Sequence, residues 1–215
     1  MITLTCRVSD DAFKPVPRAD ESMLTLPTAT LTCLGTIFYR RSMVSTAFQL
    51  FQECLRIRLG KHGFYHRDVS FTMYNIGLCH HLQGNHKSAV FFLEETLRIE
   101  RVVLGSQHRD VALTLCKLGE ALKAEGDISS ALDRFEEALA IEKQGTRRED
   151  SLAVAKTLVE IGNIYLDRGN VAKMMDAFIE SARRFRRAGR SIDAVVVSPV
   201  VKLYAVEFHC SAVAA

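Results

Sequence analysis

The side chains able to do chemistry are few and clustered. Five of the seven histidines fall into two dense groups, His62 with His66 and His80-His81 with His86. Imidazole is both a common metal ligand and the side chain that titrates nearest neutrality. The spacing for a shared ion is missing: no H-E-x-x-H occurs, and consecutive residues such as His80 and His81 leave a helix on different sides. No metal is expected, and His80 reads as a partly buried packing residue. The six cysteines, Cys6, Cys33, Cys54, Cys79, Cys116 and Cys210, form no C-x-x-C pair. They read as small apolar residues of a protein kept in a reducing, cytoplasmic compartment.

Two carboxylate pairs, Glu94-Glu95 and Glu136-Glu137, have the residue type for acid and base chemistry. They lie 42 residues apart at equivalent places, and a solvated helix face explains such recurrence better than a duplicated active site. No G-x-x-x-x-G-K-[ST], G-x-S-x-G or G-x-G-x-x-G is present. Neither an enzyme nor a cofactor is expected. The one concentrated charge feature is Arg183, Arg184, Arg186, Arg187 and Arg190, a patch suited to phosphate or an acidic partner. Its plain alternative is arginine placed favourably at a helix C-terminus, with stems laid over apolar surface. A net charge of +3 gives no independent argument for nucleic acid, which is disfavoured as a partner.

The elements that carry these residues repeat. Gly35, Gly77, Gly119 and Gly162 recur every 42 or 43 residues, each after a Leu or Ile. Twelve residues later stand Ala47, Ala89, Ala131 and, breaking the pattern, Met174; four further on stand Phe51, Leu93, Phe135 and Phe178. A small residue, a second small residue and a large apolar one at these intervals describe two helices in close approach. Turn residues recur at Gly84, Gly126 and Gly169, with Ser42 in the first copy, and a linker motif H-R-D-V stands at 66–69 and 108–111.

These residues resemble the tetratricopeptide repeat. The minimal unit of that family is about 34 residues, and the longer spacing with L-G-x-x-H-x-D-V-A at Leu104–Ala112 is similar to the kinesin light chain variety. Phe38, His80, Leu122 and Tyr165 occupy the family's aromatic or apolar position. The implied fold is all-α, a right-handed α-solenoid of antiparallel helix pairs. Four repeats are expected at 28–69, 70–111, 112–154 and 155–190, after an irregular or disordered segment at 1–27. Val201, Tyr204, Ala205 and Phe208 place a half-repeat or capping helix at 191–215. Lys202, Glu207 and Pro199 argue against a membrane span there, and no secretory leader is read at the start.

Stacked helix pairs leave a concave groove lined by the first helix of each pair, and the resemblance assigns partner binding to it. Carried over position by position, the groove takes Thr32, Thr36, Tyr39 and Arg40 from the first repeat, then Phe71, Tyr74, Asn75, Leu78 and His81. The third repeat supplies Cys116, Lys117, Glu120 and Lys123, and the fourth Lys156, Glu160, Asn163 and Asp167. Phe71, Tyr74, Leu78 and Tyr39 form its apolar part, and Asn75 matches an asparagine that such grooves use to hold a peptide backbone. The full carboxylate clamp for chaperone tails is not in place. The function expected is a non-catalytic scaffold or adaptor for a protein or peptide. The alternatives are a basic-cluster reader of acidic partners or nucleic acid, and the regulatory subunit of an enzyme.

Overall fold

The structure is a computed structural model that describes residues 26–144 and 148–188. The segment at 1–25, the half-repeat expected at 191–215, Cys6, Cys210 and Arg190 lie outside the described residues. Among those described there are eight helices and no strand: α1 Thr28–Arg40, α2 Val44–His62, α3 Arg67–Leu82, α4 His86–Val103, α5 Arg109–Glu125, α6 Ile128–Glu142, α7 Arg148–Asp167 and α8 Val171–Arg187. No helix among them is long and apolar enough to cross a membrane.

The chain divides into two compact units, Met1–Ser106 and Gln107–Ala215. In the first, α1 packs on α2, α2 on α3 and α3 on α4; in the second, α5, α6, α7 and α8 follow the same order. Each unit is thus two helix hairpins. The recurring glycines explain how each hairpin closes. A β-carbon built on Gly35, Gly119 or Gly162 would meet the ring of Phe51, Phe135 or Phe178 at 2.7 to 2.8 Å, closer than real contacts allow, while Gly77 faces the smaller Leu93 at 3.0 Å. The alanines that follow them are fully buried, and Met174 fills the fourth place at 1% exposure. The large partner side chains therefore use the space that the missing glycine side chains leave.

The core of the first unit joins Phe48, Phe51 and Leu55 of α2 with Met73, Ile76 and Cys79 of α3 and Phe92 and Ile99 of α4. In the second, Leu115, Leu118, Phe135, Ile164, Met174 and Phe185 are buried. Burying each such side chain contributes about 1.5–3 kcal/mol.

One sequence expectation needs correction. The H-R-D-V motif is no linker: His66 and His108 are N-caps whose side chains accept from the Asp68 and Asp110 amides, and Val69 and Val111 already lie in the buried face of α3 and α5. Gly63 caps α2 after His62 with φ 74°. The turn positions do recur as read. Gly84, Gly126 and Gly169 take positive φ, and Ser42 adopts φ 60° in the same role.

Candidate functional site

Six of the eight residues of the second unit assigned to the groove, Cys116, Lys117, Glu120, Lys156, Glu160 and Asn163, come together around one open cavity of about 700 Å³ between α5 and α7. Leu113, 49% exposed, supplies an apolar rim. Lys117 donates to both oxygens of Glu120 at 2.7 and 2.8 Å. Lys123 does not line the cavity, but its ammonium pairs with Glu160, which does. Lys156 is exposed and has no ion-pair partner among the described residues. Asp167, at the end of α7, is exposed.

The floor of this cavity is polar for a reason the sequence reading missed. Glu142, the last residue of α6, accepts the Thr157 hydroxyl at 2.9 Å and the Cys116 thiol at 3.8 Å, so one carboxylate joins α5 and α7 from beneath. Burial, and then the Glu142 charge, push the Cys116 thiol up to about 12. This cysteine is no nucleophile at neutral pH. The first unit has the same device with the opposite charge. Arg58 of α2 donates to the Thr72 hydroxyl of α3 at 2.5 Å and to the Thr32 hydroxyl of α1 at 3.0 Å. Thr72 and Thr157 stand in repeat register, as do Arg58 and Glu142. The recurring threonines were the available signal; the change of sign concealed it.

In the first unit the expected positions lie on α1 and α3, but they are less open. Thr36 donates its hydroxyl back to the Thr32 carbonyl at 2.9 Å. Tyr39 packs against the core. Asn75 is 9% exposed and donates to the Phe71 carbonyl of its own helix at 2.7 Å, so that amide hydrogen is engaged within the fold. Arg40 and Phe71 are exposed, while Tyr74, Leu78 and His81 are half-buried.

The remaining chemical candidates resolve into packing. His80 is 6% exposed, with its ring 4.9 Å from Phe48 and stacked 5.4 Å from Phe92. Neither ring nitrogen has a hydrogen-bond partner. Burial lowers its pKa, so the imidazole is neutral. Cys79 is buried and pushed up to about 12 by desolvation. Glu95 and Glu137 each pair with an arginine three residues away, Arg98 and Arg134. The basic cluster is partly absorbed in the same way: Glu180 holds Arg184 at 2.8 Å and Arg183 at 3.9 Å. Arg183 stands in register with Arg56 and Arg98, whose partners Glu53 and Glu95 align with Glu180. A repeated E-x-x-R was therefore legible and went unread. Arg186 and Arg187 remain exposed.

The tetratricopeptide repeat family matches residues 27–101 and 92–144. The chain belongs to the tetratricopeptide repeat family. Among solved structures, BtubC (BKLC) from P. vanneervenii is similar at a TM-score of 0.69 with 19% identity, over 79% of this chain and 66% of that one. A putative kinesin light chain from Podosopora anserina with nearly identical TPR-like repeats gives a TM-score of 0.62 at 18% identity, covering 77% and 89%. A Rap protein complexed with Competence and Sporulation Factor gives 0.66 at 16% identity, over 80% of this chain and 45% of that one. No curated protein sequence matches the chain. These likenesses fix the fold as an all-α tetratricopeptide solenoid, and the repeat family to which the chain belongs generally mediates protein–protein interaction.

Proposed function

We propose that the chain is a non-catalytic adaptor that holds a peptide segment or protein surface against the first helix of each hairpin. The observation that carries this reading is the cavity between α5 and α7. Positions that the family resemblance assigns to partner binding, Lys117, Glu120, Lys156 and Asn163, converge on it. The Lys117–Glu120 pair is made in advance, so little freedom of those two side chains is lost on capture. Lys156 and the half-buried Asn163 supply a cation and a two-sided amide beside the apolar rim of Leu113. The Rap protein structure, which holds Competence and Sporulation Factor, shows that a fold of this kind accommodates a second molecule. We place the protein in a reducing, cytoplasmic setting, because Cys54 and Cys79 are free and buried in helix packing.

Lys156→Glu with Asn163→Ala tests the reading. Affinity capture with mass spectrometry should recover partners on the wild type that the double variant loses, with an unchanged helical circular dichroism signal. An identical set of partners on both proteins overturns the assignment. Exposed Arg186 and Arg187 favour a second reading, an acidic partner or nucleic acid. Salt-sensitive retention on RNA that disappears in Arg186→Glu/Arg187→Glu would establish it in place of the first.

A further inference from the structure

The turn between α2 and α3 brings three metal-binding side chains to one point. His62 is the last residue of α2, His66 caps α3 and Asp68 lies in the first turn of α3. Gly63, at φ 74°, turns the chain between them. One ligand atom from each lies within 4.8 Å of the others. The two imidazole rings stack with centroids 4.1 Å apart, and His66 Nδ1 is 3.9 Å from Asp68 Oδ2. The sequence reading set metal aside because it sought ligands on one helix; here one ligand precedes the turn and two follow it.

We propose that His62, His66 and Asp68 form a site for a zinc-class divalent cation that joins the end of α2 to the start of α3. Ligand atoms about 2.0–2.2 Å from a tetrahedral ion stand roughly 3.3–3.6 Å from one another. Reaching it requires the stacked imidazoles to rotate so that their lone pairs converge, and all three side chains are at least partly exposed and able to move. Two imidazoles and a carboxylate select zinc or a similar first-row ion over magnesium or calcium, which prefer oxygen. The free carbonyls at the end of α2 favour a cation, the amino end of α3 disfavours one, and the Asp68 charge tips the balance. The neighbouring charges of Lys61 and Arg67 oppose the ion through solvent.

His66 Nδ1 now accepts the Asp68 amide at 3.1 Å, which leaves the ring proton on Nε2. An ion at Nδ1 therefore takes the lone pair that caps the helix, replacing one hydrogen bond by a coordinate bond. The chain carries its own control. His108 Nδ1 accepts the Asp110 amide at 3.1 Å and lies 3.7 Å from Asp110 Oδ2, but Leu104 stands where the earlier repeat has His62. The His-x-Asp pair alone is a cap; the added histidine makes the site.

The test is calorimetric titration of the full chain with zinc chloride, with magnesium chloride as the control, and urea unfolding in zinc or in chelator. One zinc per chain, no magnesium binding and a higher unfolding midpoint in zinc are expected. His62→Ala and His66→Asn each remove a direct ligand and should weaken zinc by at least the roughly 10–100-fold that loss of an outer-shell partner costs. Asparagine is a good N-cap, so the second variant removes the ligand and keeps the cap. His108→Asn should bind as the wild type does. Absence of zinc binding, unchanged affinity in His62→Ala, or a loss that appears in His108→Asn instead overturns the proposal. Circular dichroism confirms that each variant is folded.

Discussion

Gly119 and Phe135 meet so closely that a β-carbon on the glycine would lie 2.8 Å from two carbons of the ring. Gly119→Ala gains roughly 1 kcal/mol of helix propensity but forces a fully buried phenyl ring to shift in a packed core, which costs about 1–3 kcal/mol. Net destabilisation is expected by urea unfolding. Adding Phe135→Leu, the pairing that Gly77 already has with Leu93, should recover part of the loss. A double variant no more stable than the sum of the two single changes would mean that the contact does not limit packing.

Ser42 does with a side chain what Gly84, Gly126 and Gly169 do without one. A left-handed conformation costs an ordinary residue about 1–2 kcal/mol, and Ser42 is exposed, with no packing to lose. Ser42→Gly should raise stability by about 0.5–1 kcal/mol after the extra freedom glycine gives the unfolded chain. A lower urea midpoint would contradict the turn geometry.

His80 makes the first unit sensitive to acid. Its ordinary pKa is 6.5 and burial lowers it in the fold. The unfolded chain therefore binds this proton first, and the His80 contribution to stability is lost as pH falls below about 6.5. Its nearest ring neighbours, Phe48 of α2 and Phe92 of α4, carry no charge that could hold an imidazolium. His80→Phe, which copies Phe38 of the first repeat, should stabilise the protein by about 1–3 kcal/mol through removal of unpartnered polar atoms. It should also flatten the stability profile between neutral and mildly acid pH; an unaltered slope refutes the argument.

Glu142 offers a reading of the cavity floor by two independent measurements. Glu142→Ala removes the carboxylate that accepts from the Thr157 hydroxyl and the Cys116 thiol and leaves the two only each other, 3.3 Å apart, at a cost of about 1–3 kcal/mol. It also removes a charge that holds the Cys116 pKa up, so alkylation at Cys116, followed by peptide mass spectrometry, should accelerate. Slower or unchanged alkylation would separate the thiol from this carboxylate.

The parts of the fold legible in the sequence are those where packing demands the same residue type at every repeat. Gly35 with Phe51 and Gly119 with Phe135 could be paired by counting, because close helix approach admits few solutions. His66 and His108 were misread as linker because histidine is not among the favoured N-cap residues, although its Nδ1 accepts an amide as an asparagine oxygen does. Around the cavity between α5 and α7, Lys117, Lys156 and Asn163 were picked out by the family resemblance carried over in register. Asn75 was found by the same register, yet its amide is engaged by Phe71. Arg58 and Glu142 escaped because the geometry asks only for a long polar side chain between two threonine-bearing helices, and either sign satisfies it.

Each glycine meets its large partner sixteen residues further along the chain, within its own hairpin. The tightest contacts thus close short loops, where the entropy lost on closure is small and the search is brief. Any of the four hairpins can begin folding without waiting for the rest. Slowing this protein's refolding should take damage to several clasps at once, since one disabled hairpin leaves the other nuclei free to start.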